Sequence, residues 1–130
     1  MSPEQKEVIA EWYQKAEEDL LAAKVVIQAS PMLYDVAAFH SQQAAEKYLK
    51  AYLVYFETMP PKVHDLKQLI DLLEKFDVSI NEIRDAEFLS LYAVRSRYPD
   101  DYEIETKEQA LEITAMADKV KSFIQNKIGF

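Results

Sequence analysis

The side chains in this sequence that are best suited to binding a phosphate group belong to two closely spaced arginines. Arg95 and Arg97 are two residues apart and stand near Tyr92 and Tyr98. Guanidinium groups bind phosphate bidentately, and an aromatic ring beside them would complete such a clamp. The same arginines would also satisfy the last carbonyls of a helix and complement its dipole. The sequence leaves both interpretations open, an anion site and a helix end.

A carboxylate on an apolar helix stripe is the second chemical feature. Asp19 shares this stripe with Trp12, Ala16 and Ala23, which follow one another at steps of three or four residues. An unpaired carboxylate buried there would carry a large desolvation cost. We therefore expect one of two roles for Asp19. In the structural role it is half-exposed or pairs with a lysine. In the functional role it binds Lys47 or an arginine of the predicted fourth helix and so orients a site.

The segment from residue 40 to residue 51 is the most distinctive part of the sequence. Glu46 and Lys50 are four residues apart and can pair across one helical turn, which contributes about 0.2–0.5 kcal/mol. This composition favours a solvated helix face.

The two histidines and the absence of cysteine limit the chemistry further. His64 stands just before Asp65, a predicted helix cap, so it is expected to pack or form a hydrogen bond there, with catalysis as the alternative. His40 has too few potential ligands nearby for a metal site. A chain without cysteine has no disulfide framework, no thiolate nucleophile and no cysteine zinc site. We predict no metal and no cofactor.

Composition indicates a single acidic helical domain spanning residues 1–130. Lysine and arginine number 15 against 23 aspartates and glutamates, a net charge of -8 that repels nucleic acid and anionic membranes. One glycine in 130 residues is too few for a turn-rich β architecture. The longest apolar run, Ala51 to Phe56, is far shorter than the ~20 residues that a membrane span needs, and the first residues lack a signal-peptide core. A cytoplasmic location is expected.

Capping and periodicity signals predict five helices. Ser2 with Gln5, Ser79 with Glu82 and Thr106 with Gln109 have the spacing of a capping box, and Asp65 with Gln68 repeats it. The predicted helices run from the Ser2 cap to about residues 29–31, from about Tyr34 to Glu57, from Asp65 through Phe76, from Ser79 to about Arg97-Tyr98 before Pro99, and from Thr106 to Gly129. Short connections between such helices favour an all-α, antiparallel bundle with a four-helix up-down core.

Four short motifs occur in an order that resembles the HEPN domain family. Residues 16–20 (Ala-Glu-Glu-Asp-Leu) are similar to the family's first-helix signature, and residues 42–51 fit its Gln-x-Ala-x-Lys-x-x-Lys-Ala pattern. Residues 62–66 (Lys-Val-His-Asp-Leu) resemble the start of its third helix, and residues 97–100 (Arg-Tyr-Pro-Asp) its Arg-Tyr-Pro-Asp stop. The resemblance implies a helical bundle that usually dimerises.

The resemblance also implies an activity, because many toxin–antitoxin members of the family are metal-independent endoribonucleases. Those members carry Arg-x(4–6)-His, often with a tyrosine two residues later, and two copies build one active site. Here the corresponding position after Arg95 is Asp100, followed by Tyr102, and counting from Arg97 also reaches no histidine. An aspartate with an ordinary pKa near 4 is a poor general acid at neutral pH.

The resemblance and the missing histidine lead to three hypotheses. The first is a protein that acts by association, as a homodimer and as the partner of a separate minimal nucleotidyltransferase, which in some family pairs adenylylates a tyrosine at the spacing of Tyr102. The second is a ribonuclease toxin that uses Arg95 or Arg97 with His64 brought in through space. The third, which the family's name suggests, is binding of a nucleotide or phosphate without turnover. The binding residues would be Lys47, Lys50, Arg95 and Arg97, and Asp19 and Gln43 would orient the site.

Overall fold

A computed structural model describes residues 1–93 and 104–130, and within them the chain is helical and contains no strand. The all-α prediction is confirmed. The elements are α1 (Pro3–Ala29), a single 3₁₀ turn (Pro31–Leu33), α2 (Tyr34–Tyr55), α3 (Leu66–Glu74), a longer stretch in 3₁₀ conformation that we call the 3₁₀ segment (Val78–Tyr92), and α4 (Lys107–Ile128).

The first and last helices begin where the sequence predicts. The Ser2 hydroxyl accepts a hydrogen bond from the Gln5 backbone (3.0 Å), and the Gln5 side chain accepts one from the Ser2 backbone (3.3 Å). Thr106 and Gln109 form the same reciprocal pair at the start of α4. Gly129 ends α4 with φ of 77°, a left-handed conformation that glycine adopts without strain. Both capping boxes are therefore confirmed.

Contacts between helix ends give the directions of the elements. Gln5, at the start of α1, donates to the carbonyls of Val54 and Tyr55 at the end of α2 (both 2.9 Å), so these two helices are antiparallel. Lys107, at the start of α4, contacts Gln28 at the end of α1, so α4 is also antiparallel to α1. Helices α2 and α4 consequently run in the same direction.

The 3₁₀ segment and α3 complete the bundle beside α2. Asn81 contacts Glu74, and Ser90 contacts the backbone of Leu66, so the 3₁₀ segment returns antiparallel to α3. Lys119 of α4 pairs with Asp85, which places α4 against the 3₁₀ segment. The up-down core thus consists of α1, α2, the 3₁₀ segment and α4, with α3 packed against α2.

Helix α2 is the central element of the core. It packs against α1, α3, α4 and the 3₁₀ segment, and its core positions are rich in alanine, which lets neighbouring helices approach closely. Ala37, Ala38, Ala44, Ala45 and Ala51 expose none of their surface. This agrees with the prediction, from its two apolar strips, that α2 packs on more than one side. None of the helices among the described residues combines the length and apolar character needed to cross a membrane.

The predicted α-helical start at Ser79 is wrong. The chain enters the 3₁₀ segment at Val78, and its cap is Asp77, whose carboxylate accepts from the Ser79 backbone (3.0 Å) and the Ser79 hydroxyl (2.6 Å). Ile83 has non-helical φ and ψ angles (-115°, 20°), which produce a kink. The predicted end of this element near Arg97 lies outside the described residues.

Two further boundaries differ from prediction. At α3, Asp65 is the cap and accepts from the Lys67 backbone (3.0 Å), but the Gln68 amide reaches the Asp65 carboxylate (3.5 Å) instead of completing a capping box. Helix α2 ends at Tyr55 rather than Glu57, because Glu57 adopts φ of 58°, which an α-helix does not tolerate. Both differences are local.

Candidate functional site

The Asp19 carboxylate of α1 binds two side chains of α2. One oxygen lies 2.9 Å from Nδ1 of His40, and the other accepts from Nζ of Lys47. His40 and Lys47 are seven residues apart, two helical turns, so they project from one face of α2 toward α1. We call these three residues the Asp19 cluster. Of the partners expected from sequence, the structure shows Lys47.

The Glu46 carboxylate of α2 is the centre of a second group of polar contacts. Its Oε1 accepts from the Gln42 amide (3.2 Å) and lies 2.9 Å from Nδ1 of His64, and its Oε2 accepts from Nζ of Lys50 (3.1 Å). We call these four residues the Glu46 cluster. Each carboxylate oxygen therefore has a partner, as a buried charge requires.

The expectation of a solvated face at Glu46 and Lys50 is wrong. These residues expose only 4% and 5% of their surface. Nζ of Lys50 also lies 5.6 Å from the centre of the Trp12 ring of α1, a cation–π distance. The ion pair is therefore enclosed between α1 and the entry to α3 rather than hydrated along one helix.

His64 is anchored to α2 at two points, although its side chain is 66% exposed. Its ring binds Glu46, and its backbone carbonyl accepts from the Gln42 amide (2.9 Å). The hydrogen-bonding role expected for His64 at the entry to α3 is thus observed. Catalysis by His64 stays a prediction.

Gln43 lies between the two clusters along α2. Its amide donates to the side-chain oxygen of Gln42 (2.7 Å), and it lies within one turn of both His40 and Lys47. We call the two clusters together with Gln43 the polar strip. Its members, in chain order, are Asp19, His40, Gln42, Gln43, Glu46, Lys47, Lys50 and His64.

The structure brings together only some of the predicted site residues. Asp19, Gln43, Lys47, Lys50 and His64 all belong to the polar strip, whose lysines each contact a carboxylate.

The remaining candidates, Arg95, Arg97 and Tyr102, lie outside the described residues. Their roles in phosphate binding, catalysis or modification stay predictions.

Sequence reasoning assigned no role to Gln42 or Trp12. Gln42 bridges Glu46 and the His64 carbonyl, and the available signal was its spacing of four residues from Glu46. Trp12 shares the stripe of Asp19, which places both toward α2. No group of three or more histidine, aspartate or glutamate side chains within residues 1–93 and 104–130 is arranged to hold a metal ion.

A further, partly buried contact joins α1 and α2 on the side toward α4. The Tyr48 hydroxyl donates to Glu17 (2.5 Å), which also pairs with Lys121 of α4 (2.9 Å). Burial and the Glu17 charge raise the pKa of Tyr48 well above its ordinary value. Burial alone would raise the pKa of Glu17, but the hydrogen bonds from Tyr48 and Lys121 outweigh it and lower that pKa. This contact stabilises the core and is not part of the polar strip.

Comparisons with known proteins agree with the helical architecture. The sequence profile of the HEPN domain matches residues 9–127. The structure of TT1696 from Thermus thermophilus superposes with a TM-score of 0.79 at 26% identity, covering 92% of this chain and 98% of that chain. ST0689, an archaeal HEPN homologue, gives a TM-score of 0.70 at 28% identity, covering 92% and 97%. The comparison with curated proteins gives no match.

Proposed function

The chain belongs to the HEPN domain family, and on that premise we propose that it functions by association, as a homodimer and as the partner of a separate minimal nucleotidyltransferase protein. The observation that carries this proposal is the pairing of both strip lysines with carboxylates. Lys47 contacts Asp19, and Lys50 contacts Glu46. Their charges are already matched within the chain.

A phosphate group would have to compete with these carboxylates. Displacing Glu46 from Lys50 would leave a carboxylate uncompensated in a nearly water-free position, which is costly. The net charge of -8 adds long-range repulsion toward an anion. Nucleotide or phosphate binding, if it accompanies association, therefore depends chiefly on Arg95 and Arg97.

A protein partner can cover the polar strip at a lower desolvation cost than a phosphate group can. Asp19, His40 and Lys47 keep 13%, 26% and 22% of their side-chain surface exposed and are already partly desolvated. Covering a neutralised, half-buried group costs less than covering a free hydrated charge. The half-buried residues Val36, Phe39 and Val54 lie on the same side of α2 and would add apolar area.

Association is tested by gel filtration with light scattering, on the chain alone and mixed with a candidate minimal nucleotidyltransferase. We expect a dimer alone and a stable complex with the partner. Gln43→Arg places a new charge in the polar strip and should weaken the homodimer. Gln14→Arg, at an exposed position of α1, is the matched control. A monomer that forms no complex contradicts the proposal.

Modification of Tyr102 is a second test of the nucleotidyltransferase partnership. A nucleotidyl group would pass from ATP to the tyrosine oxygen with release of pyrophosphate. Mass spectrometry after incubation with the partner and ATP should show the adduct on Tyr102 and none on the Tyr102→Phe variant. An unmodified chain, together with no complex in gel filtration, removes this function.

His64 gives one specific reason to keep a second candidate, the metal-independent endoribonuclease. Its Nδ1 is held by the buried Glu46 carboxylate while most of the ring faces solvent, an arrangement that suits a histidine for proton transfer. Arg95 or Arg97 would hold the scissile phosphate. Expression should then arrest growth, and Arg97→Ala should relieve the arrest. Harmless overexpression of the wild-type chain contradicts this candidate.

A further inference from the structure

We infer that the Glu46 cluster is a preorganised proton-acceptor site, in which His64 takes a proton from a ligand hydroxyl through Nε2 and Gln42 and Glu46 act as positioning residues. The inference deepens the second candidate function and rests on it for the identity of the ligand. The arrangement of the side chains stands independently of that function.

The first argument is the fixed position of an exposed side chain. A residue with 66% of its side chain exposed ordinarily samples several rotamers, because nothing restrains it. His64 is instead restrained by a hydrogen bond at its ring (2.9 Å) and another at its own carbonyl (2.9 Å). The two anchors, Glu46 and Gln42, are one turn apart on α2, so ring and backbone are held against the same rigid element.

The second argument concerns the ring nitrogen that carries the proton. An ionised carboxylate only accepts hydrogen bonds, so Nδ1 of His64 must be the donor to Glu46. Lys50, at 3.1 Å and itself over the Trp12 ring, keeps a positive charge beside that carboxylate. A neutral imidazole has one N–H, and Nε2 therefore carries the lone pair. The exposed edge of the ring is a proton acceptor.

The third argument is the free-energy cost of burying Glu46 and Lys50. A buried ion pair is often no more stabilising than apolar residues of similar size, so stability alone does not account for Glu46 and Lys50. Both are nearly inaccessible to water. Their arrangement has a clear consequence for His64, because it fixes the orientation and tautomer of the ring. Carboxylate–histidine pairs in catalytic sites work in this way.

His40 provides an internal comparison. Its Nδ1 also contacts a carboxylate, that of Asp19 (2.9 Å), but its side chain is only 26% exposed and its ring lies edge-on to Phe39 (5.3 Å). Nδ1 of His40 is therefore also restrained by a carboxylate, but the His40 ring is less accessible to a ligand than the His64 ring. We assign the acceptor role to His64 and use His40 as the control.

A ribose 2′-hydroxyl would lose its proton to this site. Nε2 of His64 accepts the hydroxyl proton, the O–H bond breaks, and the ring becomes an imidazolium with Nδ1–H still on Glu46. The freed electron pair of the 2′-oxygen attacks the adjacent phosphorus. The bond from phosphorus to the 5′-oxygen breaks, that oxygen takes a proton from water, and a 2′,3′-cyclic phosphate remains.

The tautomer is measured directly by long-range ¹H–¹⁵N NMR of the full chain at about pH 8.5, roughly two units above the ordinary imidazole pKa. We expect His64 to carry its proton on Nδ1. In Glu46→Leu/Lys50→Met, which removes both charges together so that neither is left unpaired, His64 should lose this preference while His40 keeps its own. A proton on Nε2 of wild-type His64, or an unchanged tautomer in the double variant, overturns the inference.

A second measurement separates this inference from the ribonuclease function. His64→Asn keeps an N–H donor toward Glu46 but has no basic nitrogen. If the wild-type chain cleaves RNA in the presence of a chelator, the variant should be slower by about 10²-fold or more. Equal rates overturn the base role of His64. If the wild-type chain leaves RNA intact, the ribonuclease function fails, and the NMR result alone decides whether the proton-acceptor site stands.

Discussion

At the scale of single residues, Tyr13 and Tyr48 show two outcomes of burying a phenol. Their rings contact each other edge to face (5.1 Å between centroids). The Tyr48 hydroxyl donates to Glu17, whereas the buried Tyr13 hydroxyl has no hydrogen-bond partner among the residues that the structure describes. Burial is the main reason that the pKa of each phenol is raised far above 10. The two hydroxyls should therefore have opposite effects on stability.

Removing each hydroxyl in turn tests this contrast. Tyr13→Phe deletes an unsatisfied polar atom and should leave the free energy of unfolding unchanged or raise it by up to about 1 kcal/mol. Tyr48→Phe removes one of the donors to the Glu17 carboxylate, which keeps its contact with Lys121, and should lower the free energy of unfolding by about 1 kcal/mol. Urea unfolding monitored by circular dichroism measures both. If Tyr13→Phe is the more destabilising of the two, the assignment of hydrogen bonds is wrong.

The two residues with positive φ form a second matched pair. Glu57 has φ of 58°, which costs an L-residue roughly 1–2 kcal/mol, and Gly129 has φ of 77° with open space around the position of a Cβ. Glu57→Gly should raise the free energy of unfolding by about 0.5–1 kcal/mol after the larger chain entropy of glycine is subtracted. Gly129→Ala should lower it by about 1 kcal/mol. Thermal unfolding would contradict this if both substitutions acted in the same direction.

At the scale of elements, the two capping boxes differ in what else their glutamines contact. Gln109 closes the box of α4 at an exposed position, whereas Gln5 also binds the carbonyls of Val54 and Tyr55. Those two carbonyls belong to the last turn of α2, where the helix itself supplies no donors. The Val54 carbonyl also accepts from the Glu57 backbone (2.8 Å). Gln5 therefore caps the start of one helix and the end of another.

Alanine at each glutamine measures the difference. Gln109→Ala removes a local cap and should cost about 0.5–1 kcal/mol. Gln5→Ala removes the same cap together with two hydrogen bonds between helices and should cost about 1–2 kcal/mol more. Amide hydrogen exchange should also become faster at the end of α2 in Gln5→Ala only. Equal losses of stability in the two variants would show that the contacts of Gln5 with α2 contribute nothing.

Helix starts were predictable from sequence because a capping box is local. The residues that satisfy the first amides of α1 and α4 are three positions apart, so spacing alone reveals them. The 3₁₀ segment was not predictable in the same way. Its cap at Asp77 and its kink at Ile83 accompany packing against α3 and α4, and a pattern of apolar residues does not distinguish 3₁₀ from α conformation over such lengths.

The candidate site was predictable in part for a related reason. The cost of a lone carboxylate on an apolar stripe made Lys47 one of the expected partners of Asp19, with an arginine of the fourth helix and a half-exposed position as the alternatives. The burial of Glu46 and Lys50 did not follow, because His64, the partner of Glu46, is 18 residues away and Trp12, whose ring lies beside Lys50, belongs to another helix. Spacing within one helix predicts a pair but not the surroundings that bury it.

At the scale of the whole molecule, carboxylates with lowered pKa values set the response to acid. Hydrogen bonds lower the pKa of Glu17 below 4.5 and that of Asp77 below 3.8, despite the opposing effect of burial. Asp77 receives bonds from Ser79 and Tyr52 and lies near Lys127. A group with a lowered folded-state pKa stabilises the fold above its unfolded pKa, and this contribution is lost as pH falls through the folded value.

We therefore expect the free energy of unfolding to decrease as pH is lowered from about 4.5 toward 2. Asp77→Asn should lower stability at pH 7 and flatten part of this dependence, because the variant has no carboxylate to protonate there. Glu11→Gln removes a negative charge from an exposed position of α1 and serves as the control. Urea titrations at a series of pH values measure the slopes. An unchanged slope for Asp77→Asn would contradict the role of this carboxylate.

The distribution of charge over the whole molecule supports association more than anion binding. The chain is acidic, and both lysines of the polar strip are paired within the protomer, so that surface offers polar groups without an excess of positive charge. Such a surface suits contact with another protein. A second copy and a nucleotidyltransferase are the partners that we propose.

The most direct test of the central claim is the molar mass of the purified chain in solution, measured by light scattering across a concentration series. Association predicts a mass of twice the 15.1 kDa of one chain, with Gln43→Arg shifted toward the monomer and Gln14→Arg unchanged. A mass of 15.1 kDa at every concentration, with or without the nucleotidyltransferase, would contradict the account.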